Sequence, residues 1–491
     1  MSLNSNSWLS AQKETPILDT LKFLSDQGNA PFYAPGHKQG CGISAKIEEI
    51  LGKSMFKLDL PELPELDNLF SPQGVIEKAQ VLAANVFGAE KTWFLINGST
   101  CGIIASILAI CHCGDKVILP RNCHQSAIAG LILSGAIPIF LAPEYDPKWD
   151  LALSITPEAV RRALEVHPDA KMIFMVYPTY QGVCGDVGAI ASLAHQQEIP
   201  LVVDEAHGAH FAFHSSLPAS ALSLGADLTI QSTHKVLGAL TQGAMLHFQG
   251  KRIDPESLTK ALRLVESTSP NYLLLASLDA ARQQMALDGE RLMTKTIDLA
   301  EKARDKLKRI EGLSVLELDG VKPGFTDLDV TRLTVKVTEL GLTGFEVDEL
   351  LHENLGVTAE LPMLSHLTFI ISLGNCDSDI DRLISGFKQL PQSKEFSLPN
   401  LSPFRTIPEL ILSPREAFFA PTRLVSVEDA IGCISGELIC PYPPGIPLMM
   451  PGEMITEEAI AYLQRIYSFG GQITGLSDFN LKTLKVINRV C

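Results

Sequence analysis

Trp93-Phe94-Leu95-Ile96-Asn97-Gly98-Ser99-Thr100 contains the unit from which the fold can be read: a short apolar, β-rich run that breaks at a glycine and passes into a helical stretch. The unit recurs down the chain. Lys116-Val117-Ile118-Leu119 leads through Pro120-Arg121-Asn122-Cys123-His124 into a second helix. Ile137-Pro138-Ile139-Phe140, Met172-Ile173-Phe174-Met175-Val176 and Leu201-Val202-Val203-Asp204 continue the series. Strands this uniformly apolar, alternating with helices, predict an α/β fold with a mainly parallel sheet covered on both faces. In such a sheet ligands gather at the carboxyl ends of the strands. Ser99, His124, Asp204 and the tetrapeptide Ser232-Thr233-His234-Lys235 all lie just after a β-rich run.

Upstream, residues 13–28 read as an amphipathic helix with Ile17, Leu21 and Leu24 at helical spacing. Pro31-Phe32-Tyr33-Ala34-Pro35-Gly36-His37-Lys38 excludes regular structure, Leu58 to Phe70 predicts an extended arm, and Gly74 to Phe87 returns to helical periodicity. Downstream, Asn271 to Gly312 predicts a long charged helix linking two domains. Thr331 to Val337 and Leu367 to Leu373 predict strands, with a short helix at Glu346 to Leu355, so a smaller α+β domain follows. Proline and serine concentrate between Leu390 and Pro414 as a linker, and a last module runs from about Arg415 to Cys491. The expected division is an N-terminal helix and arm over residues 1–70, a large domain over 71–270, a linking helix and small domain over 271–395, and a C-terminal α+β module over 396–491.

The chain has 491 residues, 46% of them hydrophobic, and a formal net charge of -16. With no basic run to follow a phosphate backbone, neither nucleic acid nor an anionic membrane is an expected partner. The ten cysteines lack the spacing of a disulfide framework and are expected to be reduced. Met1 to Gln12 has no basic segment followed by an apolar one, and Ile103 to Ile110 is too short to span a bilayer. A cytoplasmic protein is expected. Cys111-His112-Cys113 resembles a metal motif but has no second ligand pair, and predicts instead the end of a buried helix. No metal is expected.

Lys235 has two readings on its own: a surface lysine after a strand, or an amine nucleophile whose proton is loosened by a dry pocket so that it can form a Schiff base. Ser99 and Thr100 are either ordinary helix caps or, with the free N–H groups of a helix start, a phosphate cradle. Asp204 ends an apolar strand, where a carboxylate needs a partner. That partner is a protonated ring nitrogen or, in a competing reading, a metal held with Glu205, His207 and His210. Phosphate anchor, buried carboxylate and isolated lysine, in that order, are the parts that hold pyridoxal 5'-phosphate.

At these residues the chain resembles the Orn/Lys/Arg decarboxylases among the fold-type-I pyridoxal-phosphate enzymes, in a short form without an N-terminal wing domain. The likeness spans nearly the whole sequence: Phe32 to Lys38, Gly98 to Thr100, Asp204 to Gly208, Gln231 to Lys235, Ser267 to Tyr272 and Pro441 to Glu453. It implies a transferase-like large domain and pyridoxal 5'-phosphate as cofactor. Lys235 would form the Schiff base and Asp204 would pair with the pyridine N–H. Ser99, Thr100, Ser232 and His234 would surround the phosphate, His124 would stack on the ring, and His207 would reach its phenolic oxygen. The implied reaction is α-decarboxylation of arginine, lysine or ornithine to the corresponding amine, with Lys235 or a nearby histidine returning a proton to Cα. Glu360, Glu437 and Glu453 are candidates for the side-chain pocket. A homodimer with shared sites is the implied minimum, the arm and the Ser267 to Tyr272 segment reaching the partner. An aminotransferase would share the lysine and aspartate, and an inactive regulatory relative is a third reading.

Overall fold

The structure is a computed structural model and describes residues 5–391, 407–442 and 445–488. At its centre seven strands form one sheet: β1 (Lys91–Leu95), β2 (Lys116–Pro120), β3 (Ile137–Leu141), β4 (Met172–Val176), β5 (Leu201–Asp204), β6 (Leu228–Gln231) and β7 (Ala244–Phe248). Their order is β1-β7-β6-β5-β4-β2-β3. The run from β6 to β3 is parallel, while β7 is antiparallel to both β6 and β1, so β1 points the same way as the other five. Six strands therefore deliver their carboxyl ends to one edge. Alternate residues serve opposite cores: Ile118, Ile173, Met175 and Val203 pack on one side, and Val117, Leu119, Met172, Phe174 and Val202 on the other. Side chains of a strand alternate faces, so an unbroken apolar run is what a sheet covered twice requires.

Local chemistry sets the covering helices. The helix Pro157–Val166 starts at Thr156 and Val187–Gln196 at Asp186, each cap side chain accepting an N–H of the first turn. The expected helix over 13–28 is Pro16–Asp26, with Ile17, Leu21 and Leu24 buried. Its Ile17 N–H donates to Asp279 (3.0 Å), and Arg282 donates to the Gln12 and Glu14 carbonyls (3.0 and 2.7 Å). Both belong to the long helix Tyr272–Leu307, which Asn271 caps and which runs about 54 Å at 1.5 Å per residue. The arm between Leu58 and Phe70 contains a single 3-10 turn at Pro64–Leu66, and a helix at Ala45–Leu58 precedes it. That helix has no fully buried residue and breaks at Gly52 (φ 69°).

Beyond the long helix, a four-stranded antiparallel sheet contains Arg332–Lys336 and His366–Ile370, backed by helices Gly344–Leu355 and Asp377–Lys388. The linker expected between Leu390 and Pro414 falls largely outside the described residues. The last module pairs Thr422–Ser426 with Thr483–Ile487 and Cys440–Tyr442 with Gln472–Thr474 around the helix Glu457–Ser468. A buried ion pair fastens it to the main sheet. Arg121, directly after β2, donates to both carboxylate oxygens of Glu453 (3.0 and 2.8 Å) and to the carbonyls of Pro447 and Leu448 (2.6 and 3.0 Å). Cys111 ends the buried helix Gly98–Ile110 as expected, with His112 and Cys113 exposed beyond it. The nine described cysteines are all free, and no described helix is long and apolar enough to cross a membrane.

Candidate active site

The carboxyl edge of the sheet opens into a cavity lined by Ser99, His124, Asp204, His207 and Lys235, together with Met363 of the small domain and residues of the last module. After β1 the chain turns at Gly98 (φ 74°), a left-handed backbone suited to glycine, and enters the helix Gly98–Ile110. Ser99 there receives the hydroxyl of Ser232, which follows β6, at 2.7 Å. Two hydroxyls thus meet at a helix N-terminus. Thr100 is in the same first turn but exposed, and it does not line the cavity. His234 is half-buried outside the lining, with Nδ1 donating to the Gly243 carbonyl (2.9 Å). The Ser267 N–H donates to Asn97 (3.3 Å), placing the segment Ser267 to Tyr272 beside the turn.

His124 follows β2 and caps the helix Gln125–Ser134, its Nδ1 accepting the Ser126 N–H (3.2 Å). Nε2 faces the other way, and a side chain at Gly445 would come within 3.3 Å of it. Burial and the Lys235 charge lower its pKa to about 4, so the ring is neutral. Asp204 ends β5, accepting the Ala206 N–H (3.1 Å). Burial raises its pKa to about 6 against the pull of Lys235. Lys235 Nζ lies 3.0 Å from His207 Nε2 and 5.1 Å from the centroid of the Tyr180 ring. Burial lowers its pKa to about 8, opposed by Asp204 and aided by Arg332. This is no surface lysine. His207, fully buried and held far below its ordinary pKa, keeps Nδ1 without a hydrogen-bond partner among the described residues.

The competing metal cluster does not assemble. Glu205 turns to the opposite face of the sheet, accepting the Ala221 N–H (2.7 Å) and the Gln231 amide (2.8 Å). Gln231 in turn meets His247 at 3.1 Å, and burial raises the Glu205 pKa to about 8. His210 pairs with Asp329 (3.1 Å). Among the described residues no group of three or more His, Cys, Asp and Glu could hold a metal ion. Two pocket candidates are likewise engaged elsewhere: Glu453 by Arg121, and Glu437 by the N–H groups of Ser477 and Lys485 (2.8 and 2.9 Å). Glu360 is exposed and outside the lining, though its charge raises the Lys235 pKa.

The sequence reading missed three neighbours of this site. Tyr180 follows β4 at the same sheet edge, so the strand-end signal that marked Asp204 was present there too. Arg332 is buried at the start of a small-domain strand and donates to the His207 carbonyl (3.0 Å), with Nη1 unpartnered among the described residues. Asp150 lines the cavity from a hairpin that no local pattern connects to the site.

Comparisons with known proteins show the family. The Orn/Lys/Arg decarboxylase major domain matches residues 15–379, and the C-terminal domain of the same family matches residues 401–479. An arginine decarboxylase of Bacillus subtilis (strain 168) is 38% identical over 97% of this chain and 98% of its own. One from Halalkalibacterium halodurans is 37% identical over 98% and 99%. In fold, the lysine decarboxylase LdcF of Francisella novicida superposes with a TM-score of 0.84 at 24% identity, covering 97% of this chain and 82% of that one. With both domain matches in chain order and relatives of nearly equal length, the chain belongs to the Orn/Lys/Arg decarboxylase family.

Proposed function

We propose that the cavity binds pyridoxal 5'-phosphate on Lys235 and that the decarboxylase takes arginine, releasing agmatine and CO2. The carrying observation is the 3.0 Å approach of Lys235 Nζ to His207 Nε2, with a pKa near 8 and buried Asp204 lining the same cavity. The choice of arginine is supported by the two relatives at 37–38% identity, both named arginine decarboxylase. The donor set suits the cofactor. Asp204 is a buried carboxylate raised to about 6, which a pyridinium N–H would stabilise. His207 Nδ1 lacks a partner among the described residues, and the Ser99–Ser232 hydroxyls stand at a helix start where a phosphate gains from N–H groups and dipole alike.

When bound, the cofactor supplies an electron sink for the pair left by departing CO2. This chain's residues do the rest. Asp204 keeps a proton on the ring nitrogen, and neutral His124 offers a flat face for stacking. Ser99 and Ser232 would hold the phosphate side, with Thr100 and His234 flanking it from outside the lining, and His207 would attend the phenolic oxygen. Apolar Ile103, Val176, Ala206 and Leu448 exclude water, which favours loss of a carboxylate as neutral CO2. Lys235 or His207, within one hydrogen bond of each other, returns the proton to Cα. Arg332 is the kind of buried arginine an aminotransferase would use on a substrate carboxylate, and it is the one feature that favours that second reading. We retain the division at residues 70, 270 and 395, a homodimer contacting through the N-terminal arm, and a cytoplasmic location, which free cysteines support. Supplying arginine, lysine and ornithine in competition and identifying products tests the reading: agmatine should dominate, and a keto acid instead would replace it.

A further inference from the structure

A carboxylate in the cavity would stabilise a basic side chain, and the three glutamates considered above lie outside its lining. Among the described residues, two that line it carry carboxylates: Asp204, beside Lys235, and Asp150. We infer that Asp150 receives the cationic end of the substrate side chain and sets the preference for a guanidinium. The inference rests on the decarboxylase reading above and extends it to substrate choice.

Asp150 is held for such a task. It closes a hairpin in which Tyr145 pairs with Ala152 and Asp146 with Leu151. Asp146 accepts the N–H groups of Lys148 and Trp149 (2.9 and 3.3 Å), tightening the turn. The hairpin is fixed from outside as well. Lys336 donates to the Lys148 carbonyl (2.8 Å) and Ser365 to that of the buried Trp149 (3.2 Å), both from the small domain. The Tyr145 hydroxyl donates to Asp150 Oδ1 and orients the carboxylate. A carboxylate has about four acceptor sites and can accept two parallel N–H bonds from one planar group. A planar guanidinium offers that fork and an ammonium does not. The rings of Tyr145, Tyr180 and Tyr462 line the same cavity and suit a delocalised cation. At Asp150 the backbone has φ 50°, a conformation that aspartate, asparagine and glycine tolerate better than other residues.

The test compares the wild-type holoenzyme with Asp150→Asn and Asp150→Gly, both compatible with that backbone. Cofactor absorbance, kcat and KM for arginine and lysine, and the calorimetric Kd of agmatine are measured. Both variants should keep the cofactor band. The agmatine Kd and arginine KM should rise on the order of 10- to 100-fold, the loss of a charge-assisted bond, and the arginine-over-lysine ratio should fall. Unchanged agmatine affinity in folded, absorbing variants would overturn the inference, as would loss of the cofactor band, which would tie Asp150 to the cofactor. A wild type that binds agmatine through Asp150 but decarboxylates no basic amino acid would refute the decarboxylase reading alone. A wild type that neither reacts nor binds agmatine would end both.

Discussion

The burial of Lys235 makes a direct prediction about its proton. An exposed lysine amine titrates at 10.5, whereas at this position it titrates at about 8, with burial as the main cause. At pH 8 about half of Lys235 is then neutral and nucleophilic, against about one molecule in 300 for an ordinary lysine. Asp204 opposes the shift, because its carboxylate, itself titrating at about 6, is charged at pH 8 and steadies the ammonium. Asp204→Asn removes that charge and should move the Lys235 midpoint below 8. The assay uses protein freed of cofactor, pulsed with an amine-reactive reagent from pH 6 to 11, with the Lys235 peptide quantified by mass spectrometry against exposed lysines. The labelling rate should rise through pH 8, and through a lower pH in Asp204→Asn. A midpoint near 10 in the wild type, or an upward move in the variant, would refute the argument that a dry pocket activates this amine.

Two further outcomes follow from buried contacts away from the lysine. Glu453→Ala leaves the Arg121 guanidinium buried with only carbonyl partners and should lower unfolding stability by about 3–5 kcal/mol in urea titrations, whereas replacing both partners by apolar residues should recover much of it. Because the same arginine holds the carbonyls of Pro447 and Leu448, and Leu448 lines the cavity, the single variant should also raise the substrate KM. Glu205 has a folded pKa raised from 4.5 to about 8, so its contribution to stability is complete below 4.5 and is lost as pH rises to about 8. Glu205→Gln lacks that titration, and the Tm difference between variant and wild type should move in favour of glutamine from pH 5 to 8; parallel profiles would contradict it.

The parallel part of the sheet was readable because a strand buried on both faces must be apolar along its interior: β4 is apolar throughout, and β2 and β5 are polar only at Lys116 and Asp204, at their ends. The reversed direction of β7 was not, since Ala244-Met245-Leu246-His247-Phe248 is as apolar as its neighbours and strand direction depends on how the chain returns. The core of the site was legible for a related reason. Ser99, His124 and Lys235 stand just past a strand and Asp204 at the end of one, so sheet topology alone brings them together. Glu453 was a candidate pocket acid only because a basic substrate implies carboxylates there, and Arg121, 332 residues earlier, holds it instead. Arg332 and Asp150 reach the site only when the small domain and the hairpin close over the sheet edge. Local spacing carries no trace of such an event.

The central claim is that Lys235 serves a decarboxylation of arginine. Its most direct test supplies arginine labelled in the carboxyl carbon to the wild-type protein and to Lys235→Ala, counting labelled CO2 against agmatine. The wild type should release one CO2 per agmatine and the variant almost none. Carboxyl label retained in a keto acid, or equal CO2 release from the variant, would contradict the account.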